Sequence, residues 1–138
     1  MNFPLALTVM ATAAFVAARV LAAEQTAAGL SLVGTWNLIA GAIGSVFALG
    51  SGLAALIGQA LTPAAHAAVA SHAKWAMLTV FALLALAVWR GAGAAFDSRP
   101  SRPFLAALLL ATAALIVTGY LGGENVYRYG VGVIAIAR

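Results

Sequence analysis

Long apolar runs separated by short polar clusters set the pattern of this chain. A membrane-crossing helix needs about 20 mostly apolar residues, and that length recurs four times. The first span is expected at residues 4–23, with Pro4 in a first turn, where its missing N–H costs no hydrogen bond. The second lies within residues 30–61, longer than one crossing needs, with its crossing at 34–58 and Thr62-Pro63 as its stop. The third is expected at residues 72–90. The fourth opens at Pro103 and covers residues 103–121, where Gly122-Gly123 is expected to break it. Gly130 and Gly132 then disfavour a helix, so the C-terminal tail is expected to be short, non-helical and folded back over the helix ends. The pattern predicts an all-α integral membrane protein, a single domain built as a bundle of four transmembrane helices.

Composition agrees. Hydrophobic residues make up 64% of the 138 positions and charged residues 7%, against about a quarter charged in a soluble domain. So little polar surface calls for lipid as the solvent. The absence of cysteine excludes disulfides and cysteine-held zinc or iron–sulfur clusters. The net charge of +4 is scattered and offers no basic run that would track nucleic acid. "LAAEQ" resembles a small-residue signal cleavage site. Yet no basic residue precedes the first apolar run, and Arg19 interrupts its end, so a retained first helix is expected.

Charge also orients the chain. Arg19, Arg90, Arg99 and Arg102 lie on the side of the first and third connections, and Lys74, Arg128 and Arg138 on the other. The third connection, "WRGAGAAFDSRPSRP", is the most basic short loop and is expected to be cytoplasmic. Both termini are then expected outside, in the periplasm where the host has two membranes. The tryptophans and tyrosines near the span ends fit an interfacial belt.

Within lipid, helices associate through small residues and interhelical hydrogen bonds. The second span carries both. Gly41 and Ser45 are four apart, as are Ala48 and Gly52, and Gly44 lies among them. These small residues are expected to pack neighbouring helices, and Asn37 to hydrogen-bond across the bundle.

The unusual side chains gather at the outer face. Asn2, His66, His72, Lys74 and the run "GGENVYRYGVGV" share one membrane level. Glu124 and Arg128 are spaced for an ion pair that fixes the tail. A proton-handling or quinone-headgroup role is the functional alternative for Glu124. His72, with His66 second, is the candidate ligand for haem b or quinone. Six residues between the two turn the chain most of the way round a helix, which opposes their ligating one iron from opposite sides. No nucleophile–base spacing, HExxH or P-loop is present. A channel would need a polar stripe, for which only Asn37, Thr35 and Gln59 are available.

"NFPLAL" at the start, "SHAKWAML" at the third span and "GYLGGENVYRYGVGV" at the end resemble a bacterial four-span membrane family, domain of unknown function family 2231. The resemblance implies a four-span fold across most of the chain. It also implies a link to membrane electron transfer, since some members are fused to Rieske iron–sulfur domains. His72 matches the family's middle histidine, while Asn2 and Tyr129 stand where the family has its first and last. The function expected is that of a non-catalytic accessory or anchor subunit of a membrane redox complex. It would dock other subunits through Asn2, Glu124, Tyr127, Arg128 and Tyr129. The alternative is an electron-carrier subunit that itself binds haem b or quinone near His72.

Overall fold

The computed structural model describes residues 2–20, 23–93 and 95–133. Four helices follow one another: α1 (Asn2–Val20), α2 (Glu24–Ala55), α3 (Pro63–Gly93) and α4 (Arg102–Tyr127). All four are long and apolar enough to cross a membrane. Each packs on its sequence neighbour, and α4 closes the ring on α1. The chain therefore runs up and down around one core. One end of the bundle carries the start of α1, the α2–α3 connection and the tail. The other carries the α3–α4 connection.

Local chemistry sets the helix ends. Gly58, at φ 79°, turns the chain out of α2. Thr62 then caps α3, its Oγ1 accepting from the Ala65 N–H at 3.3 Å, and Pro63 takes the first helical position. Ser101 caps α4 by accepting from the Phe104 N–H, with Pro103 in the first turn.

The glycine pair expected to end the fourth span does not end it. α4 continues through Gly122-Gly123 to Tyr127. A glycine costs a helix only about 1 kcal/mol relative to alanine, less than leaving backbone groups unbonded near lipid. The chain turns instead at Gly130, φ 64°, where the Gly130 N–H reaches Val126 O and the Val131 N–H reaches Asn125 O. Residues 128–133 are non-helical, as expected; Ile134 to Arg138 and the side chain of Asn2 lie outside the described residues.

The α1–α2 seam is the close one. A Cβ on Gly41 would come within 3.0 Å of Thr8 Oγ1, and one on Gly34 within 3.1 Å of the Phe15 ring. Gly44 faces Pro4 at 3.4 Å in the same sense. Ser45 is buried and donates to Ala42 O. Gly52 differs from these: nothing lies within 4 Å of its would-be Cβ. Asn37 also departs from expectation, since its Nδ2 donates to Val33 O one turn back on its own helix. It is half-exposed and finds its nearest acceptor locally. The cross-bundle hydrogen bond comes from threonine. Ala-Thr-Ala-Ala occurs at 11–14 and again at 111–114, and Thr12 Oγ1 meets Thr112 Oγ1 at 2.8 Å between α1 and α4.

Phe15, Leu38, Leu83 and Leu108 are fully buried and fill the middle of the bundle. Beyond them, near the α3–α4 connection, sits Arg90. The sequence groups it with the basic connection, yet it is 4% exposed. Its guanidinium donates to Thr35 Oγ1 (3.0 Å), Phe96 O (2.9 Å), Ser98 O (2.6 Å) and Ser98 Oγ (3.3 Å). It also lies 5.2 Å from the centre of the Phe15 ring. A planar group with five donors can satisfy several fixed carbonyls at once. Arg90 therefore fastens the loop onto the bundle rather than presenting charge outside it.

Candidate functional site: a cavity at the tail end

At the opposite end α2, α3 and α4 part around a cavity of about 350 Å³, within the size range of small-molecule pockets. Its walls are mostly aliphatic, with Leu49, Leu53, Leu56, Val80 and Leu115 among them. Gly52, Gly122 and Ala76 keep the space open. Among its lining residues Val80 and Leu115 border the packed middle of the bundle, and Gly52, Leu53 and Ala55 are exposed.

The tail covers its mouth. Val131 and Gly132 line it. The Gly132 N–H donates to Gln59 Oε1 at 3.2 Å, which latches the tail to the α2–α3 connection, and Gln59 Nε2 is spent on Ala55 O. Positive φ at Gly130 and Gly132 permits this fold-back.

Few polar groups reach the chamber, and most are already bonded. The hydroxyls of Thr79 and Thr118 lie 3.0 Å apart and each is within reach of the carbonyl one turn back on its own helix, so with one proton apiece the bridge competes with one of those local bonds. His72 projects from α3 and its Nδ1 lies 3.1 Å from Thr118 O. A carbonyl only accepts, so Nδ1 carries a proton, and in the neutral ring Nε2 keeps its lone pair. Nε2 has no partner among the described residues. Asn125 is 6% exposed, lines the same cavity and makes no side-chain hydrogen bond among the described residues.

His66 has a different situation. It is exposed and does not line the cavity, so the two histidines do not converge. His72 alone would offer a nitrogen ligand here, and a bis-histidine haem b does not fit the wall. Glu124 accepts from Arg128 Nη1 at 2.7 Å, one helical turn apart. This hydrogen bond, above all, raises the arginine's pKa over its ordinary value. Arg128 also packs over the Tyr129 ring at 5.5 Å. Tyr127 is 92% exposed. The ion pair and the tyrosines therefore decorate the rim, outside the chamber.

Asn125 was not among the residues picked out from sequence. Its signal lay in the spacing Phe104, Leu108, Ala111, Leu115, Thr118, Asn125, the buried stripe of α4. That stripe reaches Asn125 only once the helix is carried through the glycine pair.

A model of the family described as "Predicted membrane protein (DUF2231)" matches residues 1–135. No curated protein and no solved structure matches the chain.

Proposed function

The chain belongs to the DUF2231 family of predicted membrane proteins, and from that premise we propose that it is a non-catalytic binding protein of the bacterial inner membrane. Its chamber takes up a small, mostly apolar molecule from the lipid phase. The observation that carries this is His72: its Nδ1 is occupied by Thr118 O and its Nε2 is left free on an apolar wall. A few placed polar groups on an otherwise apolar surface are what orient a ligand of this kind. Of the two cofactors considered from sequence, a quinone-type ring suits one free nitrogen and an aliphatic pocket better than haem. Both termini are assigned to the periplasmic side, with Arg99 and Arg102 at the cytoplasmic one.

The test is extraction of the gently solubilised protein, with mass analysis and an absorption spectrum. A lipid-soluble molecule should co-purify with the native chain and be depleted in His72→Phe, which keeps the ring volume and removes the nitrogens. An extract identical to bulk membrane lipid in both would overturn the proposal.

A second role, as accessory or anchor subunit of a redox complex, draws on the rim. Tyr120 and Tyr127 are 71% and 92% exposed beside the Glu124–Arg128 pair, and aromatic residues favour interfaces. Pull-down of a stoichiometric respiratory subunit, lost in Tyr127→Asp, would support it. Intact respiratory complexes after deletion of the chain would count against it.

A further inference from the structure

We infer that the chamber selects ligands that donate a hydroxyl, and so holds a lipid-soluble quinol in preference to its quinone. The inference rests on the proposed binding role of the chamber and deepens it. Its basis is the direction of one hydrogen bond. Thr118 O can only accept, so at 3.1 Å it fixes the proton on His72 Nδ1. In the neutral ring the other nitrogen, on a residue that lines the cavity and without a partner among the described residues, is then an acceptor with nothing to give. A ligand hydroxyl completes it. A ligand carbonyl meets lone pair against lone pair and leaves both unsatisfied in an apolar pocket, where an unmade hydrogen bond is costly.

Asn125 supplies the second contact. It is 6% exposed, and its amide is unpartnered and on the cavity wall. An amide both donates and accepts, so it takes a hydroxyl or a carbonyl with equal ease. It stands seven residues beyond Thr118, two turns or about 10 Å along α4 toward the tail. The ligand therefore carries a hydroxyl at its inner end, an apolar body against Leu49 and Val80, and a second polar group nearer the mouth. A dihydroxylated ring has this pattern. The glycerol head of a neutral lipid shares the hydroxyl chemistry and is the other source to separate.

The experiment uses the full-length protein in lipid nanodiscs under oxygen-free conditions. The probes are a short-tailed benzoquinol, the corresponding quinone, and monooleoylglycerol. The quinol is expected to bind at least about tenfold more tightly than the quinone, the ratio set by roughly one hydrogen bond. In His72→Gln the amide can turn either way, so that ratio should fall to about threefold or less while binding survives. Nitrogen NMR of the native protein needs no variant: His72 should show a protonated Nδ1 and a bare Nε2. Equal binding of quinol and quinone, or a proton on Nε2, would overturn the hydroxyl rule and leave the binding role standing. Failure of all three probes to bind would overturn both. Tighter binding of monooleoylglycerol than of quinol would overturn the quinol assignment and keep the hydroxyl rule.

Discussion

The two ends of this bundle solve one problem in opposite ways. Each must place polar groups where water is scarce. At the Arg90 end the guanidinium spends four of its five N–H donors on two backbone carbonyls and two hydroxyls, and Phe15 lies against its face, while Ser31 Oγ, one turn from Thr35, is buried without a partner among the described residues. Aromatic rings complete the packing, with Trp89 edge-on to Phe104 at 5.8 Å and Phe15 edge-on to Phe104 at 5.2 Å. At the tail end the helices part, small residues leave space, and His72 and Asn125 each keep an unsatisfied polar atom. A satisfied network is a structural fastening. A partly unsatisfied one on a cavity wall is set up for something that arrives. The proposed ligand site therefore lies at the end with fewer charges buried, not at the end with the more conspicuous one.

The largest expected effect comes from removing the fastening. Arg90→Met should destabilise the protein by about 2 to 4 kcal/mol, because Ser98 O loses its buried donor and Phe96 O loses one of two. Thermal unfolding in detergent, with protease sensitivity of residues 95–100, is the measurement. Arg90→Lys should restore less than half of the loss, since one ammonium cannot reproduce the planar fork. A variant as stable as the native chain would show that the loop holds itself and that Arg90 is not its fastening.

Next come two glycines of α2, one in the closed α1–α2 seam and one on the open wall of the chamber. Gly41→Ala places a methyl 3.0 Å from Thr8 Oγ1 and 3.5 Å from the Thr8 backbone N. That overpacks the α1–α2 seam, at an expected cost of about 1 to 3 kcal/mol. Gly52→Ala meets nothing within 4 Å, so its stability should be unchanged or rise by up to about 1 kcal/mol, the helix-propensity gain of alanine over glycine. Equal losses from the two substitutions would mean that the chamber is closed in the membrane.

How much of this could be read from sequence follows from which forces were local. Span number and helical class were legible because about 20 apolar residues is a length requirement imposed by the bilayer. The small-residue seam at Gly41 and Gly44 was legible for a similar reason: close helices in lipid need small side chains. The end of α4 was not. Gly122-Gly123 carries the chemistry of a stop, and the stop was displaced to Gly130 by backbone bonds that only the folded tail provides. With that boundary misplaced, Asn125 fell in a presumed loop and could not be seen as the continuation of a buried stripe. Arg90 was misread for the converse reason. A basic residue next to a basic loop looks like topology information, and its burial depends on carbonyls at 96 and 98 brought round by the turn. His72 was picked from sequence as a candidate, but which of its nitrogens is free could come only from the approach of α4.

The smallest effect tests the middle ground between the two ends, where Thr12 and Thr112 meet at 2.8 Å. Both hydroxyls also lie within reach of carbonyls one turn back, Thr12 on Thr8 O at 2.9 Å and Thr112 on Leu108 O at 2.8 Å. Each hydroxyl has one proton, so the bridge competes with a local bond rather than adding a free one. Thr12→Val and Thr112→Val keep the side-chain shape and remove the proton. A double-mutant cycle on unfolding in detergent should therefore give a coupling of about 0.6 kcal/mol, the average for polar contacts between helices in lipid. A coupling above about 2 kcal/mol would mean that the α1–α4 seam is fastened as firmly as the Arg90 end. The unpartnered side chains on the cavity wall would then stand out against a more firmly fastened bundle, and the case for a ligand there would sharpen.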